Sequence, residues 1–319
     1  VSNALASPAA GLIHQGLVYG SDEEFLAATV PFCLDGLEGD EAVLSVTTEA
    51  NIDLLRQGLG DVASQVEFIA ADHWYQAPGR TLGAYYRYVD ERTAKGRHRQ
   101  VRVIGEPVWH GRDETERAEW TRYESVINIA FASCPAWIVC PYDIRVLPEA
   151  VVADARRTHP QMVTGPAVHA SDHYLPPTAP DGAWERELAL GSVNGKEAVM
   201  RFGADLGQAR AFVADAAASL GMSPTGTQRL VFAVNEVATN ALQHGGGNGQ
   251  VVVRRTGHRI VCDITDPGES PADWYAGYLP PDPAQQHGHG LWVVRQLCDL
   301  VEVHARPSGT TVRLHLNLA

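Results

Sequence analysis

Between Leu230 and Gly247 the chain reads LVFAVNEVATNALQHGGG. Leu230, Val234, Val237 and Ala241 recur at the spacing of one helical face, so the stretch is expected to be a helix laid on a core. One residue round from that stripe stand Glu236 and Asn240, four apart and therefore facing the same way, with His244 a turn further on. A carboxylate and a carboxamide at the rim of a buried face are costly unless something there uses them. A partly solvated helix edge is the ordinary explanation of a lone E-x-x-x-N. A ligand site is the alternative: the Asn carbonyl oxygen suits Mg2+, and the Glu can orient or deprotonate a hydroxyl.

What surrounds the helix decides between them. Upstream, Ala198–Phe202 reads as a strand, Asp205 as the cap of a helix over Leu206–Leu220, and Ser223 or Thr227 as the start of the central helix. Downstream come strands at Gln250–Arg255 and Arg259–Thr265 joined by Thr256-Gly257-His258, the second ending in Asp266-Pro267-Gly268. A Pro-rich segment, Glu269–Gln286, leads to His287-Gly288-His289-Gly290-Leu291 and a helix over Leu291–Cys298, with closing strands at Leu300–His304 and Thr310–Leu316. Each motif has a task if the ligand is a nucleotide. Asp266 can accept the adenine amino hydrogen, and Gly268 lets backbone approach the ring. Gly288 and Gly290 leave room for phosphates, at which the start of the next helix aims free N–H groups.

This ordered set resembles the ATPase superfamily of gyrase, histidine kinases and MutL (the GHKL fold). Within it, the short, hairpin-poor domain is similar to the anti-sigma-factor serine/threonine kinases. The resemblance spans residues 192–319 and implies a two-layer α/β sandwich with helices on one side of a mixed sheet. It implies ATP and Mg2+ as cofactors, Glu236 as general base and Asn240 as the Mg2+ ligand. Asp266 and Gly268 become adenine contacts, and Gly288, His289, Gly290 and Leu291 the phosphate loop. It further implies a protein serine/threonine kinase that phosphorylates an anti-anti-sigma protein of the STAS type and binds a sigma factor. A homodimer is implied by the resemblance alone. The chain departs from the common G-R-G-L at His289, which exchanges a permanent cation for a pH-dependent one. Trp274, Tyr275 and Tyr278, among Pro271, Pro280, Pro281 and Pro283, are expected either to pack on the domain or to meet a partner. Two alternatives stay open. A sensor histidine kinase needs a phosphoacceptor on a helical hairpin, for which His159, His169 and His173 are the candidates. A non-catalytic ATP-dependent switch would bind protein without phosphotransfer.

The first half reads differently. Ser21 followed by Glu24 forms a capping box before a helix over Glu23–Leu37. Strand-like runs at Ala42–Val46, Val66–Ala70, Val101–Ile104 and Trp137–Cys140 alternate with helical stretches at Ile52–Gly58, Thr81–Lys95 and Glu114–Phe131. Such alternation predicts a mostly parallel sheet covered on both faces, with ligands beyond the carboxyl ends of its strands. No G-x-x-x-x-G-K-S/T follows the first of these runs, so this half is not read as an ATPase. The ordered series H…Y-G-S, V-L-S-V-T-T, G-E-P-V-W, Y-E-S-V-I-N, C-P-Y-D and T-H-P resembles the MEDS domain, the sensory domain of methanogen and methylotroph regulators. The resemblance covers roughly residues 11–164 and implies a RecA-like sheet and a role in sensing a small molecule. Its candidate pocket residues are His14, Glu106, Trp109, Cys140, Tyr142 and Asp143, with Glu124 and His159 also characteristic.

The expected organisation is a sensory domain over residues 1–165, a Pro-rich linker over 166–190 and an ATPase domain over 191–319. The net charge is −13, and residues 1–190 carry −12 of it. That acidity speaks against direct nucleic-acid binding. Five cysteines, an odd number with most in apolar surroundings, suit reduced thiols in the cytoplasm. Cys134 and Cys140 have no second pair and no His at ligand spacing, so zinc is not expected there. No apolar run is long enough to span a bilayer and no export signal is visible, which makes a cytoplasmic location the expectation.

Overall fold

The computed structural model describes residues 11–165, 167–179, 197–268, 274–281, 289–306 and 308–318. In order, the first half contains β1 (Ile13–Tyr19), α1 (Asp22–Glu38), β2 (Ala42–Thr47), α2 (Glu49–Leu59), β3 (Glu67–Ala70), α3 (Ala71–Trp74), α4 (Pro78–Thr93), β4 (Val101–Gly105), α5 (Glu114–Ala130), β5 (Ala136–Asp143), α6 (Glu149–Thr158), β6 (Gln161–Thr164) and β7 (Ala167–Ala170). The second half contains β8 (Ala198–Phe202), α7 (Leu206–Ser219), α8 (Pro224–His244), β9 (Gly249–Thr256), β10 (Arg259–Asp266), α9 (Gly290–Leu297), β11 (Leu300–Arg306) and β12 (Gly309–Asn317). The chain divides into two compact units, the first holding β1–β7 and the second β8–β12.

In the first unit the strand order is β3-β2-β4-β5-β1-β6-β7, parallel except for the last pair, as the strand–helix alternation requires. Leu17, Tyr19, Val43, Ile104 and Val139 face one side and form a core with Phe25, Phe32 and Cys33 of α1 and Leu55 and Leu59 of α2. Side chains alternate along a strand, so His14, Gly16, Gly105, Cys140 and Tyr142 face the other side. Tyr85 of α4 approaches Gly105 on that side. Ser21 accepts from the Glu24 N–H as the sequence suggests, though the Glu24 carboxylate accepts from the Gly20 N–H rather than from Ser21. Asp113 and Glu116, not singled out from the sequence, form a full capping box on α5.

Five elements of this unit are not anticipated by the sequence reading, the one-turn helix α3 among them. Strand β1 reads as polar at His14 and Gln15 and carries Gly16, yet it lies between β5 and β6 near the middle of the sheet. Its polar groups are paired: Gln15 donates to Gln161 at 2.8 Å and accepts from the Trp137 indole at 2.8 Å. Helix α6 and strand β6 are short elements beside it. Strand β7 pairs antiparallel with β6 inside the stretch expected to be linker.

The second unit is a five-stranded sheet in the order β11-β12-β10-β9-β8 with α7, α8 and α9 against one face. Every pairing among the described residues is antiparallel, which corrects the mixed sheet implied by resemblance. The predicted stripe is the keel of this layer: Leu230, Val234, Val237 and Ala241 are all buried against Val251, Cys262, Ile264 and Leu314. On the opposite face, charged residues pair across strands. Asp263 accepts from Arg254 at 2.8 Å and from Arg313 at 2.7 Å, and Glu302 accepts from His315 at 2.9 Å. Among the described residues no helix is long and apolar enough to cross a membrane.

Candidate functional site

In the second unit the three motifs converge on α8. Ser223 caps the helix, accepting from the Gly226 N–H at 3.2 Å, and the buried stripe fixes its rotation on the sheet. Glu236 and Asn240 are thereby left at the half-buried edge. Neither side chain has a hydrogen-bond partner among the described residues. They face Gly290 at the start of α9: a Cβ added there would stand 3.4 Å from Glu236 Oε2 and 3.5 Å from Asn240 Nδ2. Gly290 opens α9, whose first N–H groups have no intrahelical acceptor. The carboxylate, the carboxamide and those N–H groups therefore border one space.

At its carboxyl end α8 meets the end of β10. Gly245 lies so close to the Asp266 carboxylate that any side chain at Gly245 would strike it, and Gly268 packs on the Gly245 backbone. Asp266 Oδ1 accepts from the Gly268 N–H at 2.9 Å, which fixes the carboxylate and leaves Oδ2 as an acceptor. Partial burial raises the Asp266 carboxyl above its usual pKa, against the lowering from the Gly268 N–H. Leu291 packs on the core, and His289 stands at the N-cap of α9 without capping it. Gly288, Pro271 and Pro283 lie outside the described residues. Of the aromatics in the Pro-rich segment, Tyr278 is buried, with the Arg295 guanidinium 3.7 Å from its ring centroid, while the rings of Trp274 and Tyr275 meet edge to face at 5.7 Å. A separate groove of about 530 Å³ runs between α7 and α8, lined by Arg210, Val231, Phe232 and Asn235. It includes none of the nucleotide-motif residues.

The first-unit candidates fall into two groups and one outlier. His14, Cys140, Glu124 and His159 converge on the α5–α6 side of the sheet. Cys140 Sγ is 3.5 Å from His14 Nε2, and Glu124 Oε2 is 3.6 Å from His14 Nε2 and 3.4 Å from His159 Nε2. Tyr142 lies edge-on to His159 at 5.7 Å, and Trp109 is 6.4 Å from Tyr142. Burial and the neighbouring His159 lower His14 to about 4. Burial opposes ionisation of Glu124, and the two imidazoles lower its carboxyl only where a proton on Nε2 faces it. Burial and Glu124 push the Cys140 thiol well up.

Glu106 belongs to a second network, at the carboxyl ends of β1, β2 and β4. It accepts from Thr47 Oγ1, from Asn51 Nδ2 at 2.9 Å, from the Thr48 N–H at 3.3 Å and from Tyr19 OH at 3.4 Å. This is the crevice where open parallel sheets hold ligands. Asp143 is the outlier, paired with Arg145 at 2.8 Å. Asn51, Tyr19 and Asn128 were not singled out from the sequence. Tyr19 opens the Y-G-S motif and Asn128 closes Y-E-S-V-I-N, while Asn51 lies three residues beyond V-T-T, and no role was assigned to any of them.

The comparisons follow these two units. The family of the methanogen/methylotroph, DcmR sensory domain (MEDS) matches residues 13–160, and the histidine kinase-like ATPase domain matches residues 203–316. No curated protein matches. Among solved structures, the chain is similar to the RsbU and RsbW domains of Rv1364c from Mycobacterium tuberculosis, at 19% identity over 39% of this chain and 32% of that one, with a TM-score of 0.30. It is also similar to the Acinetobacter baumannii histidine kinase AdeS, at 12% over 38% and 68%, with a TM-score of 0.25. A third is the histidine kinase domain from the Erythrobacter litoralis EL346 blue-light activated histidine kinase, at 22% over 35% and 61%, with a TM-score of 0.25. The chain spans about a third of the first of these, and likenesses at such TM-scores say nothing of activity. The chain thus joins a MEDS sensory domain, over residues 13–160, to a histidine kinase-like ATPase domain, over residues 203–316.

Proposed function

We propose that the protein is a signal-responsive anti-sigma regulatory kinase. In this reading the ATPase domain binds Mg-ATP, phosphorylates a serine or threonine of an anti-anti-sigma protein of the STAS type, and holds a sigma factor. The sensory domain gates this by binding a small molecule. The observation that carries the reading is the unpartnered Glu236–Asn240 edge facing Gly290. The residues fit the nucleotide: Asn240 offers a hard oxygen to Mg2+, Asp266 Oδ2 an acceptor to the adenine amino group, and the start of α9 its N–H groups to phosphate oxygens. Bound Mg-ATP supplies the phosphoryl group. Glu236 orients the acceptor hydroxyl and takes its proton, and positioning supplies most of the rate. The histidine kinase alternative is disfavoured by its candidate acceptors. His159 is buried behind α6, His169 lies on β7, and His173 sits in a turn.

Calorimetric titration of Mg-ATP into the full chain tests the site, with Asn240→Ala expected to lose binding. Phosphotransfer to a STAS-type protein tests the reaction, with Glu236→Ala expected to retain ATP but lose about 10²–10⁴ in rate. Binding that Asn240→Ala leaves intact would overturn the site. Binding without transfer would leave the switch reading.

A further inference from the structure

We propose that His14, Glu124, Cys140 and His159 are the four ligands of one divalent transition-metal ion, zinc by its donor set, buried in the sensory domain. The inference concerns the first unit alone and does not depend on the kinase reading. The four residues come from β1, α5, β5 and the residue after α6, and one ligand atom from each lies within 4.8 Å of all the others. Zinc–nitrogen and zinc–oxygen bonds of about 2.0–2.2 Å and a zinc–sulfur bond of about 2.3 Å give tetrahedral edges of about 3.3–3.6 Å. The observed separations are 3.4 Å from Glu124 to His159, 3.5 Å from Cys140 to His14 and 3.6 Å from Glu124 to His14.

Hydrogen bonds behind the ligands aim the lone pairs inward. The Asn128 amide donates through Nδ2 to the carbonyls of Ser125 at 3.1 Å and Thr158 at 2.8 Å, so its Oδ1 faces His14 Nδ1 as an acceptor at 3.0 Å. His159 Nδ1 lies 2.7 Å from the Ala155 carbonyl, which can only accept. Both imidazoles therefore carry their proton on Nδ1, and as neutral rings each turns an Nε2 lone pair toward the Glu124 carboxylate. Lone pairs facing a carboxylate in a dry site repel unless a cation stands between them. Among the described residues Glu124 Oε2 and His159 Nε2 have no hydrogen-bond partner, and both residues are 1% exposed or less.

The charges close as well. A thiolate, a carboxylate and two neutral imidazoles around a dication make a neutral buried centre, and the thiol proton leaves to solvent on binding. Sulfur and imidazole donors select zinc over magnesium or calcium. Gly16 makes the room: a Cβ there would stand 3.2 Å from His159 Cγ. The Cys134–Cys140 spacing could not reveal such a site, because the partners of Cys140 are distant in sequence and Cys134 is not among them.

The test uses the full chain, purified through a tag without histidines and without chelating resin. Elemental analysis is expected to find about one zinc per chain. Zinc X-ray absorption is expected to show one sulfur and three nitrogen or oxygen neighbours. Cobalt exchanged for the zinc should give a thiolate-to-cobalt charge-transfer band that Cys134→Ser keeps and Cys140→Ser loses. Should Cys140→Ser fail to fold, the single-sulfur absorption spectrum of the wild type still decides. A folded wild type that holds no stoichiometric metal, even after dialysis against zinc, would mean that a shared proton fills the site, and the proposal falls. It falls equally if bound metal lacks a sulfur neighbour or keeps its thiolate band in Cys140→Ser.

Discussion

The two polar sites of this protein sit in opposite kinds of surroundings. In the sensory domain, His14, Glu124, Cys140 and His159 are each 3% exposed or less. In the ATPase domain, Glu236 and Asn240 stand half-buried on the edge of a helix whose next face is solid core. Burial makes the first site part of the fold, since removing any member leaves the others uncompensated in a medium that cannot solvate them. Partial exposure makes the second site separable from the fold, because water can satisfy its groups when no ligand does. A site inseparable from folding suits a group that stays. A separable one suits a ligand that comes and goes.

Substitutions can break or sharpen this contrast, ranked by their effect on stability. The largest is expected from Glu124→Ala, which leaves two imidazoles and a thiol facing a hole. A loss of about 3–5 kcal/mol from the unfolding transition of the first unit is expected in urea, and a loss under about 1 kcal/mol would end the contrast. Next is Gly245→Ala, whose methyl would press into the Asp266 carboxylate. Overpacking of this kind costs about 1–3 kcal/mol, read by thermal unfolding of the second unit. Acid should act on that unit too. Burial works against ionisation of Glu302, yet His304, His315 and Arg313 hold its carboxyl well below the usual range. A depressed folded pKa means the stabilisation is complete above about pH 4.3, the unfolded value, and is lost as pH falls below it. The unfolding midpoint of wild type should therefore fall once the pH drops below about 4.3, and Glu302→Gln should flatten that fall. The smallest change is expected for Glu236→Ala, within about 0.5 kcal/mol of wild type by the same measurement, despite its loss of phosphotransfer.

What the sequence disclosed follows the same division. Helix α8 and its neighbours were legible because a 3.6-residue stripe, a Ser cap and a run of glycines all act locally, and Glu236 and Asn240 could be located as the residues beside the stripe. Glu106 was legible as a residue beyond a strand end, as was its partner Thr47 at the end of the V-L-S-V-T-T run, but Asn51 and Tyr19 were not legible as its partners, since nothing local links them. Strand β1 escaped because His14, Gln15 and Gly16 break the apolar pattern, and each is explained only by a partner more than a hundred residues away. Helix α6, short and charged at Arg156 and Arg157, offered too little contrast with a loop. The antiparallel second sheet shows the limit of reasoning by resemblance, which carried a family's habit where the pairings decide.

Strand β1 also sets a schedule. It lies between β5 and β6, so the strand that comes first in this sheet's chain order is among the last to find its neighbours. His14 and Cys140 are 126 residues apart. At synthesis rates of about 5–20 residues per second, β1 waits about 6–25 s before β5 exists to receive it. During that interval the apolar Leu17, Val18 and Tyr19 have no sheet to enter, and the strand must be shielded or stay extended. The buried cluster is consequently a late product of folding, and its completion marks the moment the sensory domain closes.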